Sequence, residues 1–76
     1  MQEQEITIDT RGLSCPLPVL KVRKAMRSFP SGMRVRVLAT DPLAEEDFRA
    51  YCEAAGCAFL SAEKLGSSEL AIVIQK

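Results

Sequence analysis

The chain has 76 residues, 47% of them hydrophobic, with 10 basic and 10 acidic side chains and a formal net charge of zero. A chain of this length is expected to fold as a single domain, residues 1–76, that buries only about 60 to 65% of the surface exposed by its unfolded form, which excludes a deep substrate cavity. Zero net charge argues against nucleic-acid binding, and the longest aliphatic run, residues 70–74, is too short to cross a membrane.

The cysteines and the lack of histidine narrow the possible chemistry. The chain contains three cysteines, Cys15, Cys52 and Cys57, and no two of them are spaced as Cys-x-x-Cys. An odd number without this spacing favours a reducing compartment, the cytoplasm, over a disulfide framework. No signal peptide is recognisable, and neither a metal site nor a cofactor is expected. Without histidine the usual general base is missing, which fits a carrier of a group better than a hydrolase.

The first predicted elements are a strand and a turn. Residues 5–9 alternate between polar and apolar side chains, which predicts a half-buried strand. In the turn that follows, Gly12 is expected to supply a positive φ or to allow a close approach, and Asp9 to accept a hydrogen bond from the backbone. Leu13 is the residue expected to anchor the loop beneath the next cysteine.

A cysteine stands where the first helix should begin. The proline after it favours extended backbone, so Cys15 is predicted as N-cap, with Pro16 and Pro18 at the first and third helical positions and the helix ending near Phe29. The N–H of Leu17 would then lie near the sulfur. A helix N-terminus can lower the pKa of a thiol, so Cys15 is a candidate nucleophile. The alternative is that it is a small structural residue and that the prolines only begin a helix.

The two faces of this helix differ. One face is apolar and predicted to join the core: Pro18, Val19, Val22, Ala25, Met26 and Phe29. On the other face, two leucines lie among cations beside Cys15 and could form a docking patch, composed of Leu17, Leu20, Lys21, Lys24 and Arg27. The alternative is an ordinary solvent-exposed face, since scattered exposed leucines are common.

The rest of the chain completes an α/β pattern. The predicted elements are a strand over residues 33–39, a helix to about Ala55, and strands over residues 57–63 and 69–75. Asp41 is predicted as the N-cap of the second helix with Pro42 at its first position, and Cys52 as a core residue. The order βαβαββ predicts a two-layer α/β sandwich, in which two helices cover one face of a four-stranded mixed sheet.

Charge is distributed unevenly along the chain. Residues 11–36 contain seven basic and no acidic residues, whereas residues 41–53 contain five acidic residues and a single arginine. We therefore expect Cys15 to lie at a basic end of the molecule, where Arg11, Lys21 and Lys24 favour the thiolate and attract an acidic partner surface. The alternative is two ordinary solvated helix faces.

Three stretches resemble the TusA/SirA/YedF family of small sulfur-carrier proteins. They are Asp-Thr-Arg-Gly-Leu-Ser-Cys-Pro-Leu-Pro at residues 9–18, which includes a Cys-Pro-x-Pro motif, Asp-Pro at 41–42, and Asp-Phe-Arg-Ala-Tyr-Cys-Glu-Ala-Ala-Gly at 47–56. The resemblance spans nearly the whole chain and implies the strand order 1-2-4-3, with the fourth strand antiparallel to the others. It also implies that Cys15 accepts a sulfane sulfur as a persulfide. Cys57, where many relatives have histidine, and Arg49, where many have proline, depart from the family pattern.

The leading interpretation is a monomeric sulfur carrier, or sulfurtransferase, that acts through Cys15. Its sulfur would come from a cysteine desulfurase or rhodanese-like protein and pass to an acceptor protein, with tRNA thiolation, molybdenum cofactor maturation and sulfur metabolism all open as pathways. The residues expected to support the site are Asp9, Gly12, Leu13, Pro16 and Pro18. The alternative is a redox or selenium-linked protein, or a regulatory binding module in which Cys15 is never persulfidated.

Overall fold

The structure is a computed structural model that describes residues 5–76, so the first four residues of the predicted domain lie outside the described part. Six elements follow one another in the predicted order: β1 (Glu5–Asp9), α1 (Leu17–Met26), β2 (Arg34–Ala39), α2 (Ala44–Ala55), β3 (Ala58–Lys64) and β4 (Leu70–Gln75). Neither helix described for residues 5–76 is long and apolar enough to cross a membrane.

The four strands form one mixed sheet in the order β1-β2-β4-β3, which confirms the order implied by the resemblance. β1 and β2 are parallel, whereas β4 is antiparallel to both of its neighbours, β2 and β3. The carboxyl ends of parallel strands lie at the same edge of a sheet. The loop that follows β1 and the loop that follows β2 are therefore brought together, although they are far apart in sequence.

The core lies between one face of the sheet and the two helices, as the apolar pattern predicts. Burial alternates along β2, where Val35 and Val37 are fully buried and their sequence neighbours are half-buried. The helices contribute Val22, Met26, Phe48 and Cys52, and β4 contributes Ile72 and Ile74. Each of the larger apolar side chains stabilises the fold by roughly 1.5 to 3 kcal/mol on burial. Cys52, which is 3% exposed, is a core residue as predicted.

The first helix begins later than predicted. Its N-cap is Pro16, not Cys15, and Leu17 is its first residue. The N–H of Leu17 donates to the carbonyl of Ser14 (2.8 Å), so the chain makes a turn ahead of the helix and this N–H is not available to the sulfur. The helix ends at Met26, earlier than predicted, and gives way to a tighter turn.

The second helix also begins later than predicted. Its N-cap is Leu43 rather than Asp41, and Ala44 is the first helical residue. The carboxylate of Asp41 accepts a hydrogen bond from the N–H of Leu43 (2.9 Å), which makes a turn of the Asp-Pro pair instead of a helical start. At the other end the helix ends at Ala55, as predicted, and Gly56 closes it with a φ of 80°.

Candidate functional site

The loop after β1 is closed by the contacts expected of Asp9 and Gly12. The Asp9 carboxylate accepts a hydrogen bond from the backbone N–H of Arg11 (2.9 Å), and Gly12 has a φ of 84°. The N–H of Gly12 donates to the hydroxyl of Thr40, which follows β2 (2.9 Å). This bond ties the two adjacent loops together.

A buried threonine fastens the loop to the sheet. Thr10 is fully buried, and both its N–H and its hydroxyl donate to the carbonyl of Leu38 in β2, at 2.8 and 2.7 Å. The carbonyl of Thr10 in turn accepts from the N–H of Leu13 (3.2 Å). Leu13, the predicted anchor, is itself only half-buried. Sequence reasoning missed Thr10, because no local pattern distinguishes it from any other polar residue after a strand.

Cys15 is held in place by an acidic residue from the second loop. Its backbone N–H donates to the carboxylate of Asp41, and its side chain is exposed. The peptide bond between Cys15 and Pro16 is cis. Asp41 thus joins the turn before α2 to the cysteine loop, a role that the sequence analysis did not assign to it.

A shallow groove of about 330 Å³ runs beside the sulfur, between the two helices. We call it the Cys15 groove, and its lining residues are Cys15, Pro16, Val19, Asp47, Ala50 and Tyr51. Asp47 and Tyr51 were not predicted as site residues. The stretch at residues 47–56, which carries part of the family resemblance, already indicated that this helix matters. The sequence alone does not show which side chains of α2 face the cysteine.

The expectation that the thiol of Cys15 has a lowered pKa is wrong. Hydrogen bonding to the neighbouring carboxylate of Asp47 raises the pKa, and desolvation and the negative charge of Asp41 add to the effect. The thiol form of Cys15 is therefore favoured over the thiolate in the isolated protein.

Two of the cations expected beside the sulfur are engaged elsewhere. Arg11 forms ion pairs with Asp9 (2.9 Å) and Glu69 (3.3 Å), and Lys21 donates from Nζ to the backbone carbonyl of Asp9 (2.7 Å). The bonds from Arg11 hold the pKa of the Asp9 carboxyl at about 2. The basic residues of this end of the molecule thus brace the loop, while acidic groups of α2 and of the turn before it surround the cysteine.

The docking patch predicted on α1 lies at the surface. Leu17 and Leu20 are 49% and 48% exposed, and Lys21, Lys24 and Arg27 are exposed as well. Pro18, on the opposite face, is buried as expected. Lys21 is bound to the β1 end, so its ammonium group serves the loop and is not a free charge of the patch.

The other two cysteines lie in different surroundings. Cys52 is buried, and burial is the main cause that raises its pKa to about 12. Cys57 is half-buried and lines a separate hollow of about 260 Å³, together with Arg23, Arg27 and Tyr51. Of the three cysteines, all of which lie within residues 5–76, Cys15 alone is exposed.

No group of three or more histidine, cysteine, aspartate or glutamate side chains within the described residues is arranged to hold a metal ion.

The chain is similar to known proteins in both sequence and fold. A putative sulfur carrier protein of Neisseria meningitidis serogroup A is 43% identical over 58 residues, which cover 76% of this chain and 78% of the relative. The sulfur carrier protein TusA of Allochromatium vinosum is 33% identical over 66 residues and is covered, like this chain, to 87%. The crystal structure of a SirA-like protein from Desulfitobacterium hafniense superimposes with a TM-score of 0.80 at 25% identity and covers 92% of this chain and 95% of that one.

The chain also matches the sequence profile of a whole protein family. The sequence profile of the family described as Sulfurtransferase TusA matches residues 6–76, from the first strand to the last. The chain therefore belongs to the TusA family.

Proposed function

We propose that this protein is a sulfur carrier whose Cys15 accepts a sulfane sulfur as a persulfide from a donor protein and passes it to an acceptor protein. The observation that carries the proposal is the position of Cys15. It is the one exposed cysteine of the chain, on a loop that hydrogen bonds fasten to the sheet edge. Relatives of the chain that are named as sulfur carrier proteins support the same role.

The site suits transfer between proteins better than turnover of a small substrate. The Cys15 groove is shallow and leaves the sulfur exposed, so a partner can enclose the cysteine in a pocket of its own. In the transfer, the thiol of Cys15 loses its proton and the thiolate attacks the outer sulfur of a persulfide on the donor cysteine. A new S–S bond forms on Cys15 and the S–S bond of the donor breaks. The electron pair leaves on the donor sulfur, which takes up the proton.

We assign the recognition of partners to the docking patch on α1. Leu17 and Leu20 offer apolar contacts beside Cys15, and Lys24 and Arg27 offer charges that attract an acidic surface. Lys21 remains part of the patch by position, although its ammonium group binds the carbonyl of Asp9. The donor is a cysteine desulfurase or a rhodanese-like protein, and the carrier works as a monomer.

Intact mass spectrometry tests the proposal. The protein is incubated with a cysteine desulfurase and cysteine, or with a rhodanese-like protein and thiosulfate, and we expect a mass increase of one sulfur atom that a reductant removes. Cys15→Ser should abolish the increase, whereas Cys52→Ala and Cys57→Ser should retain it. A reducible sulfur atom on the Cys15→Ser protein would overturn the site, and an unloaded wild-type chain with both donors would overturn the carrier function.

A further inference from the structure

The side chains that line the Cys15 groove indicate which charge a partner presents there, and this inference rests on the proposed function. The Cys15 groove is apolar along Pro16, Val19 and Ala50, and its charged side chain is Asp47. Among the described residues, those that line the groove include neither lysine nor arginine. The negative charge of Asp47 therefore lies beside the sulfur without a cation in the groove to balance it.

Three cations of the neighbourhood, Arg11, Lys21 and Arg49, make contacts of their own outside the groove. Arg11 pairs with Asp9 and Glu69, and Lys21 binds the Asp9 carbonyl. On the second helix, Arg49 pairs with Glu45 (3.2 Å) and lies over the ring of Phe59, 4.3 Å from its centroid. None of these three side chains lines the groove, which leaves Asp47 open to a cation from a partner.

Sulfur transfer places a negative charge on the sulfur of Cys15, next to Asp47. The attacking species in loading is the thiolate of Cys15. In delivery, an acceptor thiolate attacks the outer sulfur of the persulfide, the S–S bond on Cys15 breaks, and the electron pair stays on Cys15 as a thiolate. A carboxylate beside the sulfur opposes each of these anions, since like charges in contact disfavour ionisation. A cation placed at Asp47 removes this opposition and forms a charge-assisted hydrogen bond with the carboxylate.

We propose that Asp47 is a specificity-determining residue of the Cys15 groove, and that the groove accepts a partner which places a lysine or arginine side chain beside the sulfur. Such a side chain has an apolar stem that fits along Val19 and Ala50 and a cationic head that reaches the carboxylate. A partner that presents a carboxylate at this point is rejected. The docking patch and the groove thus select opposite charges on the same partner: acidic groups opposite α1, and a basic group at Asp47.

The test uses three thiol reagents of one chemistry and different charge, on the full chain. They are methanethiosulfonates with a trimethylammonium, a methyl and a sulfonate substituent, and the rate of modification of Cys15 is followed by mass spectrometry with peptide mapping. We expect wild type to react faster with the cationic reagent than with the anionic one, after division by the rates of a free model thiol. Asp47→Asn should reduce this ratio by roughly tenfold, as expected for one unit charge about 6 Å from each reagent charge in water.

Matched variants separate this effect from net charge and from structural damage. Glu53→Gln removes the same charge from an exposed position of the same helix outside the groove, and it should leave the ratio unchanged. Asp47→Glu should restore most of the ratio. High salt should reduce the ratio in wild type without any substitution, because exposed charges are screened.

Two results would overturn the inference: an equal ratio in wild type, Asp47→Asn and Glu53→Gln, or a wild-type ratio that salt does not change. Either could occur while Cys15 is still loaded by a donor, in which case the carrier function would stand and the role of Asp47 would fall. A charge-selective Cys15 that no donor loads would instead overturn the carrier function, and with it the assignment of the groove to a sulfur-transfer partner.

Discussion

The carboxylate of Asp41 accepts a hydrogen bond from the backbone N–H of Cys15, although the two residues are 26 positions apart in the chain. The same carboxylate accepts the N–H of Leu43 in the turn before α2. A single side chain therefore sets the position of the reactive cysteine relative to the helix that carries Asp47.

Substitution of Asp41 should loosen the cysteine loop. Asp41→Ala removes both hydrogen bonds and should lower the free energy of unfolding by about 1 kcal/mol, measured by urea denaturation. Asp41→Asn keeps an acceptor oxygen and should lose less. If Asp41→Ala and Asp41→Asn were equally stable, the hydrogen bonds to the loop would contribute nothing, and the role given to this carboxylate would be wrong.

Alkylation of Cys15 should report its raised pKa. Because Asp47 favours the thiol form, the rate of reaction with iodoacetamide should rise about tenfold for each pH unit and level off only above the ordinary thiol pKa of about 8.5. Asp47→Asn should move the midpoint to lower pH and speed the reaction at neutral pH, whereas Glu53→Gln should not. A wild-type midpoint at or below the ordinary value would contradict the arrangement.

Acid should weaken the fold through Asp9. Its pKa is lowered from 3.8 to about 2 in the folded protein, so the unfolded chain takes up the proton first as the pH falls. The stabilisation from Asp9 is therefore complete above pH 3.8 and is lost as the pH falls through about 2. Comparison of wild type with Asp9→Asn by denaturant unfolding across this range measures the effect, and Glu53→Gln controls for the loss of a charge. If the free energy of unfolding changed with pH in the same way for wild type and Asp9→Asn, the contribution of Asp9 would be ruled out.

The docking patch makes a kinetic prediction for transfer from a donor. Lys24→Glu combined with Arg27→Glu should slow association, and salt should slow wild type in a similar way, because exposed charges act mainly on the rate of encounter. Lys64→Glu, a charge reversal at the end of β3, serves as the control. Stopped-flow measurement of loading at several salt concentrations would show whether the patch is used.

The apolar part of the same patch should act differently. Leu20→Ala should speed dissociation with little dependence on salt, since a lost apolar contact is felt chiefly in the off-rate. Leu20 is 48% exposed, so the free energy of unfolding should change by only about 0.5 kcal/mol. Unchanged transfer in all these variants would mean that the partner approaches from the loop at residues 9–12 instead.

Cys52 should be protected from modification in the native protein. It is 3% exposed and burial raises its pKa to about 12, so iodoacetamide should reach it only through unfolding. Cys15 serves as the internal control, because it is exposed in the same molecule. Mass spectrometry of the alkylated native protein should find Cys15 modified first, and rapid labelling of Cys52 would show that α2 opens locally.

Much of the fold could be predicted from local patterns. Alternation in β2 and β4 and the apolar stripes of the helices place Val35, Ile72 and Phe48 in the core, because side-chain periodicity is a property of each segment alone. Gly12 has the positive φ that its position in the turn suggested, since turn chemistry is also local. The family resemblance added the strand order, which no periodicity contains.

The surroundings of Cys15 arise from contacts between distant segments. Local patterns identified the cysteine and the basic residues near it in the chain, but they could not show that Arg11 and Lys21 bind Asp9, or that Asp41 and Asp47 approach the thiol. A pKa depends on the charges within a few ångströms of the group, and here those charges come from segments that follow β2. The parallel pairing of β1 and β2 brings these segments together, and it thereby gives an acidic surrounding to a cysteine that lies in a basic stretch of sequence.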